Sequence, residues 1–281
     1  MSKTKDRMRE NALRYKQSLG QNFIYDENLL AALAESAAFT AEDDVLEIGP
    51  GSGTLTQELC KRAHHVLSVE LDERLIPLLS AYMEPYGNFT LVQGDVMKLN
   101  LPEVTKELKK PLHVVANIPY YITTPLLQML LASPLDIASI CVMIQKEVAD
   151  KLMAAPGTDS WCPLSIHAQY RCDVEVLMDV PAACFTPPPK VDSAFVALRM
   201  KETKEVQVKN EEDFFRVVAC AFALRRKTMV NNLCATFRME RAQALSLMEK
   251  AGLEATVRGE KLTIEELARL ADAYTEGKEQ A

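Results

Sequence analysis

Val45-Leu-Glu-Ile-Gly-Pro-Gly-Ser-Gly-Thr54 reads as a short apolar strand that runs into a glycine-rich turn and then a helix start. Gly49 and Gly51 let the backbone approach a ligand closely, where any Cβ would collide. Counted from Gly49, the dinucleotide fingerprint G-x-G-x-x-G asks for glycine at position 54, where Thr54 stands. The phosphate-cradling G-x-x-x-x-G-K-[ST] also fails. Many strand-to-helix turns look like this one, so its meaning depends on the ends of the later strands. Glu70 ends the next apolar run, 21 residues after Gly49, where a doubly wound sheet places a ribose-binding carboxylate. Asp95 closes the third run in Gln93-Gly-Asp95 and is placed to accept from the amino group of a cofactor adenine. For each acid the plainer alternative is a solvated helix cap. Two acids at successive strand ends favour a nucleoside-containing cofactor.

Outward from this turn, short Val- and Ile-rich runs alternate with helical patterns, as in β-α units around a parallel sheet. Strands are predicted at Val45–Ile48, Val66–Leu71, Thr90–Gln93, Leu112–Asn117, Ile137–Ile144, Val174–Met178 and Ala194–Met200. Helices are predicted near Thr54–Arg62, Glu73–Tyr82, Thr124–Leu131 and Lys146–Ala155. The connection between the last two strands is too short for a crossover, which predicts an antiparallel pair. Seven strands so arranged suit an α/β, doubly wound (Rossmann-like) methyltransferase domain. After Met200 a charged stretch, Lys201 to Lys209, reads as a linker, and Glu211 to Tyr274 shows only helical periodicity. The expected division is residues 1–200 as the α/β domain and residues 201–281 as a small all-helical C-terminal domain.

Composition excludes several classes. At 281 residues, 48% hydrophobic and 25% charged, the chain is of globular type. No run approaches the length of a membrane span. Met1 to Lys16 holds six basic and two acidic residues without an apolar stretch, so it reads as a basic arm and not as a secretory signal. Seven cysteines without a C-x-x-C pair and four scattered histidines predict free thiols, a cytoplasmic setting and no metal. Net charge is −7, yet five basic residues and no acid lie between Arg216 and Arg238. Distribution, not sum, decides whether a nucleic acid is bound.

Asn117-Ile-Pro-Tyr120 follows the fourth predicted strand, at the carboxyl edge where such sheets bind ligands. The residue set suits methylation of an adenine exocyclic amine, whose lone pair is delocalised into the ring. Two acceptors, the Asn117 side-chain oxygen and the Ile118 carbonyl, can grip the N6 hydrogens and turn the lone pair toward a methyl sulfonium. Pro119 fixes the backbone, and Tyr120 offers a face for an extruded base. A plain β-to-α turn is the alternative. Farther on, Phe185-Thr-Pro-Pro-Pro-Lys190-Val-Asp-Ser193 reads as a rigid extended loop. Phe185 is a candidate for the opposite wall of an adenine slot, and Lys190 for a phosphate contact. Taken by themselves they read as a core aromatic and a solvated lysine. Arg225, Arg226 and Lys227, in a predicted helical stretch with Asn231 and Asn232, read as a phosphate-contacting face or as a solvated helix side.

These segments resemble the ribosomal RNA adenine dimethyltransferases, and within them the bacterial small-subunit group. Ser18-Leu-Gly-Gln-Asn-Phe23, the Glu47–Thr56 loop, Asn117–Leu127, Gln145-Lys-Glu147, Phe185–Ala194 and Arg225–Leu233 run in family order. The resemblance implies S-adenosylmethionine as cofactor and S-adenosylhomocysteine as product. It implies cofactor contacts at Asn22, Ile24, Gly49, Glu70, Asp95 and Asn117, and adenine-clamping aromatics at Tyr120 and Phe185. It further implies two methyl transfers to each of two adjacent adenines in a hairpin near the 3′ end of small-subunit (16S) rRNA. The implied substrate is a maturing small ribosomal subunit, and the enzyme is expected to be a monomer. Trp161-Cys-Pro163 departs from the family pattern of an aromatic followed by glycine, and is expected near the active-site edge. The rivals are a methylase of large-subunit rRNA and a non-catalytic assembly factor; a dehydrogenase is disfavoured by Thr54.

Overall fold

A computed structural model describes residues 22–279. The basic arm and residues 18–21 of the Ser18–Phe23 segment lie outside the described residues. Nine strands are present among them: β1 Phe23–Ile24, β2 Asp44–Ile48, β3 His65–Glu70, β4 Phe89–Gln93, β5 Leu112–Asn117, β6 Ile137–Gln145, β7 Cys172–Val180, β8 Phe185–Thr186 and β9 Ser193–Met200. Seven of them form one sheet in the order β4-β3-β2-β5-β6-β9-β7. The pairs β2–β3, β2–β5, β3–β4 and β5–β6 are parallel, with Val45 opposite Val66 and His113. β9 runs antiparallel to β6, with Cys141 opposite Ala197. The strand order reverses at β2, so β2 and β5 flank the switch point at which open α/β sheets leave a crevice.

Central strands read as continuous apolar runs because both their faces are covered. Val45, Leu46, Val66, Val114 and Val115 are all buried. Helices Glu27–Ser36, Thr54–Cys60, Ile76–Met83 and Thr123–Ala132 accompany this sheet. Glu27–Ser36 starts on a capped turn, Asp26 accepting from the Asn28 and Leu29 amides at 2.9 and 3.2 Å. A second, two-stranded ladder pairs Phe23 with Thr186 and Ile24 with Phe185. So small an element carries no periodicity for a sequence to show.

The chain divides into two compact units. One is the α/β unit, up to Ala149 together with Asp173–Met200. The other comprises the chain from Lys201 onward and, in addition, Asp150–Cys172. Helix Pro163–Arg171, which the sequence pattern does not predict, therefore belongs with the helices Glu211–Ala223, Met229–Phe237, Arg241–Lys250 and Ile264–Glu279. Trp161 is 1% exposed in the core of this helical unit, and its indole N–H donates to the Leu262 carbonyl at 3.2 Å. A large apolar ring with its one polar atom satisfied is a core residue. Gly259 closes the same unit, since a Cβ there would overlap the Ala221 carbonyl group. No described helix is long and apolar enough to cross a membrane.

Candidate active site

Strand ends build the site. After β2 the chain turns through Gly49 and Gly51, at φ +71° and +56°, left-handed conformations that favour glycine. The Gly49 amide donates to the Val69 carbonyl at 3.0 Å, which seats the turn over β3. A Cβ on Gly51 would come within 2.7 Å of the Phe23 ring. The missing side chain is what lets that ring close on the turn.

Glu70, last residue of β3, is 6% exposed. Its Oε2 accepts the Gly51 amide at 3.0 Å and its Oε1 the Asp72 amide at 2.7 Å. Both oxygens keep lone pairs for a vicinal diol. Burial raises its pKa, while those two backbone donors oppose the shift. Beside it Glu47 is almost completely buried and accepts the Ser68 hydroxyl at 2.6 Å. Burial pushes the Glu47 carboxyl up to about 7, with Ser68 pulling it back and the nearby Glu70 adding to the rise. Asp95, beyond β4, accepts the Met97 amide at 3.0 Å through Oδ1, and the Lys98 ammonium lies 3.4 Å from Oδ2.

Asn117 ends β5. Its Nδ2 donates to the Asn22 carbonyl at 3.1 Å, an assignment of the amide that leaves Oδ1 as the free acceptor. Ile118 is buried at 2%, and Pro119 leads into a short 3-10 turn, Tyr120–Ile122. The Tyr120 hydroxyl meets Ser193 Oγ at 2.7 Å, so β9 fixes the ring from behind. Burial raises the Tyr120 pKa, and the Ser193 contact opposes it. One cavity of about 220 Å³ is lined by Asn22, Ile24, Gly49, Gly51, Glu70, Asp95, Asn117, Ile118, Pro119 and Tyr120. Glu47 and Phe23 line it too.

Other expected residues lie elsewhere. Phe185 is 3% exposed, pairs with Ile24 and sits in the core with Leu30 and Phe195. It is not among the residues that line this cavity, although its neighbours Ile24, Leu30 and Phe195 are. Lys190 is exposed on the proline loop. Arg225, Arg226 and Lys227 are exposed in the turn between Glu211–Ala223 and Met229–Phe237, not within a helix. Thr228 caps the second of these helices, which is why the helical pattern cannot run through the triplet. Sequence reasoning gave no role to Glu47, Ser68 or Ser193. For Glu47 a signal was present: one carboxylate inside the otherwise apolar run Val45–Ile48.

The cavity fits an adenosyl amino acid. It offers a glycine cradle that a Cβ would fill, a doubly anchored carboxylate for a diol, a second carboxylate beyond the next strand, and an apolar lining that includes Leu71, Val96 and Met97. Topology and chemistry together define a methyltransferase of the doubly wound class, drawing its methyl group from S-adenosylmethionine. Among the described residues no group of three or more His, Cys, Asp or Glu is arranged to hold a metal ion.

Comparison with known proteins narrows the class. The model of the ribosomal RNA adenine dimethylase family matches residues 12–276, and the chain belongs to that family. It is 42% identical to the ribosomal RNA small subunit methyltransferase A of Enterococcus faecalis, over 99% of this chain and 96% of that protein. With the Lactococcus lactis protein of the same name it shares 43% identity, over 96% and 94% respectively. Among solved structures it resembles a dimethyladenosine transferase from Plasmodium falciparum at TM-score 0.76 and 25% identity, covering 91% of this chain and 98% of that one. The 23S rRNA methyltransferase ErmE is similar at TM-score 0.68 and 27% identity, covering 90% and 99%. The chain is thus a ribosomal RNA methyltransferase acting on adenine.

Proposed function

We propose that this protein dimethylates N6 of two adjacent adenines in the 3′-terminal hairpin of small-subunit rRNA, as a cytoplasmic monomer acting on a maturing subunit. Small-subunit methyltransferases matched over nearly their whole length support this substrate. The observation that carries the chemistry is Asn117: its amide nitrogen is tied to Asn22, which leaves Oδ1 as an acceptor on a residue that lines the cavity.

S-adenosylmethionine supplies an electrophilic methyl group on a sulfonium and leaves as S-adenosylhomocysteine. The protein's own residues do the rest. Glu70 takes the ribose hydroxyls, Asp95 the cofactor's adenine amino group, and the Gly49–Gly51 turn admits the cofactor against the backbone. Asn22 and Ile24 close that side. In the first transfer Asn117 Oδ1 and the Ile118 carbonyl accept the two N6 hydrogens and orient the nitrogen lone pair; in the second, one of them accepts the hydrogen that remains. Tyr120, its ring held through Ser193, stacks on the target base. Each transfer forms one N–C bond, breaks one C–S bond and frees one N6 proton, which passes to water. Lys190, Arg225, Arg226 and Lys227 contribute phosphate contacts.

Labelled cofactor offered with small subunits lacking the dimethylation, and separately with unmodified large-subunit RNA, tests the proposal. Dimethyladenosine mapped to the small-subunit 3′ hairpin is the expected result. Label confined to the large-subunit RNA would move the protein to the substrate class of its second structural neighbour.

A further inference from the structure

Tyr121 stands beside Tyr120 in the sequence but is oppositely disposed. Tyr120 is half-buried and bonded to Ser193, whereas Tyr121 is 57% exposed. Among the described residues it is the one aromatic in the set of exposed large apolar side chains. Its ring meets no aromatic or cationic partner, and its hydroxyl no hydrogen-bonding partner, among them. Nothing in the fold needs this side chain where it is.

Its position is nevertheless fixed. Pro119 enters the turn at φ −57°, the Ile122 amide donates to the Pro119 carbonyl at 3.1 Å, and the Thr123 amide donates to the Tyr120 carbonyl. Thr123 then begins a helix anchored through buried Leu126 and Leu127. A backbone held on both sides presents the ring with little main chain left to order on binding. Location supplies the second observation. Seven large apolar side chains are exposed among the described residues, and three of them, Leu71, Met97 and Tyr121, line the cavity that holds Glu70 and Asn117. Exposed apolar surface collected at a binding mouth marks contact with a ligand.

We propose that Tyr121 is a stacking platform for the nucleotide flanking the target adenine, holding the RNA strand at the mouth while Tyr120 receives the base to be methylated. This rests on the reading that the cavity serves an RNA adenine. A base in the neighbouring position has a free π-face once its neighbour is extruded, and aromatic stacking satisfies that face without reading its sequence. A protein partner is the weaker occupant, because one ring and two aliphatic side chains are far smaller than a stable protein interface.

Steady-state methylation of small subunits lacking the dimethylation, with wild type, Tyr121→Phe, Tyr121→Leu and Tyr121→Ala, tests this. Cofactor affinity of each is measured by calorimetry. Tyr121→Ala is expected to raise KM for subunits by about 5- to 150-fold, the range given by base–aromatic stacking, with kcat and cofactor affinity nearly unchanged. Tyr121→Phe should behave as wild type, and Tyr121→Leu should fall with Ala. An unchanged KM in Tyr121→Ala, Leu performing as well as Phe, or a parallel loss of cofactor affinity overturns the proposal. If wild type labels only large-subunit RNA, the substrate reading fails, and the same series on that RNA still decides the role of Tyr121. Wild type inactive on both overturns the two together.

Discussion

The side-chain amide of Asn117 donates to the main-chain carbonyl of Asn22 at 3.1 Å, joining the end of β5 to the segment that opens β1. One bond therefore orients the acceptor and fastens the cavity wall. Asn117→Ala is expected to lower kcat by about 100- to 1,000-fold, the scale of a lost preorganised polar contact, with cofactor affinity changed only a few-fold. Single-turnover methylation and calorimetry on one preparation check both halves. Transfer near the wild-type rate would remove the role given to Oδ1.

Glu70 carries two backbone amides as well as the proposed ribose contact. Glu70→Ala leaves both donors unpaired in a buried place and deletes the acceptors for the diol. Cofactor affinity is expected to fall by at least about tenfold, given the strength of hydrogen bonds to charged groups. Calorimetric titration with S-adenosylhomocysteine reads it directly, and an unchanged affinity would show the ribose assignment to be wrong.

Glu47 makes the fold pH-sensitive in an unusual direction for a carboxylate. Its ordinary value is 4.5 and burial raises it to about 7 in the folded protein. The folded state thus holds the proton more tightly than the unfolded chain, and ionising the group opposes folding. That penalty is absent below the unfolded value, grows between the two values and is complete above the folded one. Glu47→Gln should gain stability over wild type at about pH 8, by roughly 3 kcal/mol at most, and lose most of that advantage near pH 4.5. Urea denaturation of the cofactor-free protein across this interval decides it; a pH-independent difference contradicts the assignment.

Gly259 lies with its Cα against the Ala221 backbone, so Gly259→Ala forces two main-chain segments apart. Destabilisation of about 1–3 kcal/mol or more is expected from such overpacking. Since Gly259 and Ala221 both belong to the helical unit, cofactor affinity at low temperature should be retained. Thermal melting followed with and without S-adenosylhomocysteine separates the two effects.

What was legible in the sequence was whatever repeats along one short stretch. β2, β3, β5 and β6 were visible because strands buried on both faces must be largely apolar, and Glu70 and Asn117 at the ends of β3 and β5 broke that pattern at positions lining the cavity. Contacts that join distant stretches left no such trace. Phe185 reads equally as a ring on a cavity wall or in a core, and its pairing with the distant Ile24 could not be read from the sequence. Asp150–Cys172 belongs with residues far ahead of it, so a boundary drawn from composition alone fell at one place where the chain crosses between units more than once. The basic triplet looked helical because both its flanks are, and the Thr228 cap that interrupts them is a matter of backbone geometry.

The two-residue ladder of Phe23 and Ile24 with Thr186 and Phe185 carries a consequence for biosynthesis. Asn22 and Ile24 line the cavity, yet their clasp is among the last parts of the α/β unit to leave the ribosome. A nascent chain halted before Phe185 already has β2, β3, β5 and the Asn117–Asn22 bond, but lacks the strand that pairs with Phe23 and Ile24. Most of the pocket's parts are translated early, and the ladder and Phe195 that complete it wait on the end of the unit. Competence to take cofactor should accordingly arrive late and abruptly during translation.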